Sequence, residues 1–129
     1  MVIERSFDIE DEVRVALSPF YETHCRPLPA NYGLPCVLVS QVGGTDLNKI
    51  DTFDVVLDFR AATNADAMIA MRSCLGILKA VAKNQTTAIR HVTVNSSGSW
   101  GNDPVRPDLV MCSARVSIVA HIETVNLEV

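Results

Sequence analysis

The sequence predicts an α+β domain: a two-layer sandwich in which two helices cover one face of a mainly antiparallel four-stranded sheet, in the order α-β-β-α-β-β. Three observations lead there. From Phe53 to Arg60, apolar and polar residues alternate with the two-residue period of a strand. From Thr63 to Asn84, apolar residues recur at the three- and four-residue steps of a helix. The strand-like runs come in adjacent pairs, which favours antiparallel pairing with both helices on one apolar face. At 129 residues the chain has the size of one domain, and residues 1–129 are expected to fold as a single unit.

The first helix is expected from Asp8 to Tyr21, with Ile9, Val13, Ala16 or Leu17, and Phe20 on its apolar face. Asp8, Glu10, Asp11 and Glu12 fill its first turn, where the helix dipole favours negative charge, and Pro19 is a candidate early stop. Arg26 to Pro35, rich in Pro and Gly, reads as an extended loop. Cys36–Val42 reads as a strand closed by a turn at Gly43-Gly44. In the Phe53–Arg60 strand, Phe53, Val55, Leu57 and Phe59 face the core, and Asp54, Val56, Asp58 and Arg60 the other side.

The second helix starts at a Thr63 or Asn64 cap and buries Ala67, Met71, Cys74 or Leu75, Leu78, and Val81 or Ala82. Ile89–Asn95 is the third strand, followed by a long turn-rich connection from Ser96 to Pro107. The fourth runs from Leu109 to about Thr124. Val110, Cys112, Ala114, Val116, Ile118, Ala120 and Ile122 face one way, and Met111, Ser113, Arg115, Ser117, Val119, His121 and Glu123 the other. Strands usually run about 5–6 residues. One this long should bend, bulge or project, and a projecting hairpin tipped by Trp100 would reach a neighbour.

Composition narrows the function classes. An apolar fraction of 48% supports a sizeable core without disulfides or metals, and a charged fraction of only 20% leaves apolar surface for partners. The net charge is −4, and the 11 Lys and Arg residues, Lys49 among them, stand singly. Without a basic stripe, nucleic-acid wrapping is not expected. Cys25, Cys36, Cys74 and Cys112 lack zinc-motif spacing and read as reduced, buried thiols. The N-terminus reads as no secretion signal, and no apolar run reaches the roughly 20 residues of a membrane span.

Each candidate for chemistry has a plainer reading. His24 and Cys25 are adjacent, but neighbours in a loop rarely point at each other, and no orienting acid is assignable. His121 and Glu123 share a strand face, with His91 as the one guess for a third metal ligand, and an interface pair is the better account. Asp54 and Asp58 stand roughly 13 Å apart along a strand, too far for paired-carboxylate hydrolysis. Val42-Gly43-Gly44-Thr45-Asp46 lacks the Lys-Ser/Thr ending of a phosphate loop. No catalytic, cofactor or metal site is therefore expected. The residues expected at an oligomer or partner interface are Asp54, Asp58, Arg60, Trp100, Arg106, Arg115, His121 and Glu123. The tail from Val125 to Val129 is either disordered or added to a neighbouring sheet.

One pattern spans nearly the whole chain. A helix precedes a Pro-bounded strand ending in Gly-Gly (Pro35 to Gly44), then a Phe-Asp-Val-Val-Leu-Asp-Phe-Arg strand (53–60) and a Thr-Asn-Ala-Asp-Ala-Met helix start (63–68). Asn102-Asp103-Pro104 and Arg106-Pro107 then precede a long final strand. This order resembles the tail terminator (tail completion) proteins of long-tailed bacteriophages and related head–tail joining proteins. The resemblance implies a non-enzymatic virion subunit without cofactor, assembled in the host bacterial cytoplasm into a ring of about six. Its partners would be copies of itself, the tail tube protein and the head–tail connector protein, with no membrane. Genome DNA would pass through the lumen without sequence-specific binding, eased by acidic side chains. Competing readings are another neck or connector component, a tail-like secretion component, and a small ligand-binding module on the sheet face near His91 and His121.

Overall fold

The computed structural model describes residues 1–47 and 50–128; Lys49 and Val129 lie outside them. In chain order the elements are β1 (Val2–Ser6), α1 (Ile9–Leu17), β2 (Glu22–Cys25), β3 (Cys36–Leu47), β4 (Ile50–Ala61), α2 (Asn64–Asn84), β5 (Ile89–Asn102) and β6 (Val110–Asn126). The chain is α+β with a mostly antiparallel sheet, as expected. Without β1 and β2 the order is α-β-β-α-β-β, but the sheet has six strands, not four.

The last strand is the spine. β6 pairs with β4 over Val110–His121 and with β5 over Val110–Ala120, so those neighbours lie on opposite edges of it. Its far end, Ile122–Asn126, pairs with β1. β3 continues outward from β4, and β2 adds to β3 in parallel, the one parallel pairing among the described residues. The strand path runs β1-β6-β4-β3-β2, with β5 on β6 opposite β4, so β1, β2 and β5 each have a single strand partner and β5 and β2 lie on opposite sides of the β6-β4-β3 centre.

One core lies between the helices and one sheet face. α1 contributes Ile9, Val13 and Leu17; α2 contributes Ala67, Ala70, Met71, Cys74, Leu75, Leu78 and Ala82. They meet Val37 and Val39 of β3, Phe53, Val55, Leu57, Phe59 and Ala61 of β4, and Cys112, Ala114, Val116, Ile118 and Ala120 of β6. Each large side chain buried here contributes about 1.5–3 kcal/mol relative to exposure. Thr63 caps α2, its side chain accepting from the Asp66 amide, and Asp8 caps α1 by accepting from the Asp11 amide.

The other sheet face is covered at one end only. Cys36 alternates with Val37 and Arg60 with Phe59, so both point away from the main core. There the Arg26–Pro35 loop and the loop after β5 lay Leu28, Tyr32 and Leu109 against Cys36 as a second small core.

Several expectations need correction. α1 stops at Leu17, and Phe20, assigned to the buried stripe, is 66% exposed. Gly43-Gly44 is not a turn: β3 runs through it to Leu47, with Val42 as the extra residue of a bulge between Gln41 and Gly43. Ser96–Asn102 is strand rather than connection, so Trp100 sits within β5 opposite Cys112 and tips no hairpin. Nor does that hairpin project, because β4 pairs with the same stretch of β6. Val125 and Asn126 pair with β1 of the chain itself.

Candidate functional site

Two regions gather polar side chains or exposed apolar ones: the covered end of the second face, and the strands β5 and β2.

At the covered end, Asp103 is buried and accepts from four donors. The Tyr32 hydroxyl donates at 2.6 Å and Arg60 Nε at 2.8 Å, both to Oδ2; the Val105 and Arg106 amides donate to Oδ1 at 2.9 and 3.3 Å. Burial by itself would raise the Asp103 pKa. The Tyr32 hydroxyl, the two amides and Arg60 outweigh it and hold the carboxylate well below its usual range. Burial and the neighbouring Asp103 push the Tyr32 hydroxyl up. The Arg106 guanidinium lies over the Tyr32 ring, 5.1 Å from its centroid. The network ties the loop after β5 to the loop before β3 and to β4.

Beside it stand Glu22, His24 and Cys36, whose potential ligand atoms all lie within 4.8 Å of one another. Among the described residues no other group of three His, Cys, Asp or Glu side chains is gathered this closely. β2–β3 pairing makes the group, since Glu22 is in register with Cys36. The Gly33 amide donates to Glu22 Oε2 at 2.7 Å, and His24 Nε2 lies 3.3 Å from the same oxygen. Burial, then the adjacent Glu22 carboxylate, push the Cys36 thiol up to about 12.

The residues expected at an interface do not form one patch. Arg60 is buried against Asp103, and Arg106 covers Tyr32. Asp54 and Asp58 accept from the hydroxyls of Ser117 and Ser113 on β6. Glu123 pairs with Arg5 of β1 and is not drawn into a metal group with His121 and His91. Arg115 and His121 are exposed on β6, and Trp100 is 45% exposed on β5. His24 and Cys25 point to opposite faces of β2.

The strands β5 and β2 differ in character. β5 has β6 as its strand partner and is interrupted by three register shifts, with Arg90, Asn95 and Gly98 as the extra residues. Bulges at a sheet edge twist it away from further pairing. What β5 offers a partner is therefore side chains, Trp100 above all. On the opposite side of the sheet, Phe20 and Leu34 lie exposed beside β2 and line a groove of about 300 Å³ with Tyr21, Glu22, Gly33 and Pro35.

No protein-family model and no curated protein sequence matches this chain.

Proposed function

We propose that this chain is a ring-forming assembly subunit of the bacteriophage tail-terminator type. Copies join side by side into a ring of about six, which caps the tail tube protein and presents its other face to the head–tail connector.

One observation carries this reading: β5 and β2, on opposite sides of the β6-β4-β3 centre, are unlike. A side-by-side ring requires a heterologous contact, in which one patch of each copy meets a different patch of the next. Trp100 on β5 is a rigid aromatic anchor of the kind that dominates interfaces, and the groove between Phe20 and Leu34 is an apolar acceptor. The helix faces add exposed Val15 and Ile69 for axial partners. A net charge of −4 suits a lumen through which DNA moves without adhering. In this reading the protein ends in the virion neck after assembly in the bacterial cytoplasm.

The test is mass photometry and negative-stain microscopy of the chain alone and mixed with tail tubes. Closed rings, or added density at tube ends, are expected. A chain that stays monomeric and leaves tube ends bare overturns the proposal. Trp100→Ala should weaken subunit contact by about 2 kcal/mol, the scale of an interface hot spot, while leaving the circular dichroism spectrum unchanged.

A further inference from the structure

The group at the β2–β3 junction has the composition of a metal site, and the ring reading uses only the groove that Glu22 lines, not His24 or Cys36. Glu22, His24 and Cys36 offer one oxygen, one nitrogen and one sulfur, a mixture suited to a borderline-soft divalent ion. With bonds of about 2.0–2.3 Å, tetrahedral ligand atoms stand about 3.3–3.8 Å apart. Glu22 Oε2 and His24 Nε2 are already at 3.3 Å, and no pair in the group exceeds 4.8 Å. His24 Nε2 is buried and makes no hydrogen bond among the described residues, despite that proximity. A nitrogen held beside a carboxylate without a well-formed hydrogen bond suits a shared cation.

The surroundings fit as well. The Gly33 amide donates to the Glu22 carboxylate and so orients it, as donors behind the ligands do at metal sites. Gly33 also leaves the carboxylate room, since a Cβ there would come within 3.2 Å of Glu22 Oε1. Cys36 is fully buried, whereas the Glu22 side chain is 43% exposed and opens on the Phe20–Leu34 groove, which provides an entry path.

We propose that Glu22, His24 and Cys36 form a binding site for a divalent zinc-like cation, with its fourth position open to water or to a group from a neighbouring molecule. On binding, the Cys36 S–H bond breaks, a sulfur–metal bond forms and the proton leaves to solvent. Carboxylate, thiolate and neutral imidazole then balance the ion's two positive charges.

The experiment uses the full chain, stripped with chelator and titrated with Zn²⁺ by calorimetry, then with Co²⁺ by absorption. About one ion per chain is expected, with a thiolate-to-cobalt charge-transfer band. His24→Ala and Cys36→Ser should each weaken binding at least about tenfold. Cys25→Ser should change nothing, because Cys25 lies on the opposite face of β2. Should Cys36→Ser fail to fold, Glu22→Gln replaces it, at a partly exposed position. Absence of saturable binding, a cobalt spectrum without a thiolate band, or zinc affinity indifferent to His24→Ala would each overturn the site.

Discussion

Asp103 is the residue on which two loops and a strand depend. Asp103→Asn leaves the Arg60 guanidinium buried without its counter-charge, and Arg60 Nη1 already has no partner among the described residues. Breaking such a pair costs about 3–5 kcal/mol, so urea unfolding at neutral pH should register a loss of that order. The pH dependence has a definite sign. The folded carboxylate titrates below the ordinary value of 3.8, so its contribution is complete above that pH and disappears as pH falls through the lower folded value. The gap between wild type and Asp103→Asn should stay flat above pH about 5 and narrow below about 4. Asn102-Asp103-Pro104 was visible in the sequence as a turn. That it closes on Tyr32, 71 residues earlier, was not, because nothing local encodes the partner of a buried charge.

At the scale of elements, α2 was legible because its signals are local: a capping threonine, a seven-residue buried stripe and a basic last turn. Thr63→Ala should cost about 1 kcal/mol of stability, read as a shift in the urea midpoint with an unchanged slope. β4 was legible for the same reason, with strict alternation from Phe53 to Phe59. β3 and β5 were only half legible because bulges break the two-residue period on which strand reading depends. Gly44 stands two residues past the bulge at Val42. Its φ is +156°, and an added Cβ would lie 2.5 Å from the Thr52 carbonyl oxygen. Gly44→Ala should therefore destabilise the β3–β4 hairpin by more than about 1 kcal/mol, visible as faster amide exchange at both strands. β1 and β2 carried too little signal. Five mostly exposed residues and four largely polar ones become strands only because β6 and β3 offer free edges.

At the scale of the whole molecule, β6 organises the fold by pairing with three strands, and the sheet it builds has unlike sides at β5 and β2 that the proposed ring would use. If the proposed ring forms, appending a bulky group at Leu34, beside the groove, should block its growth as effectively as Trp100→Ala, with unfolding midpoints of the monomer unchanged; light scattering checks it. The sequence by itself determined the α+β class, both helices and the inward faces of β4 and β6, all consequences of periodicity within one segment; of the four thiols expected to be buried, Cys25 is only half-buried. Tertiary structure alone decided the six-strand sheet, the course of β5, the burial of Arg60 and the meeting of Glu22 and His24 with Cys36. Each of these depends on the register between segments distant in the chain, and register is set by packing and backbone pairing rather than by any residue's own preference.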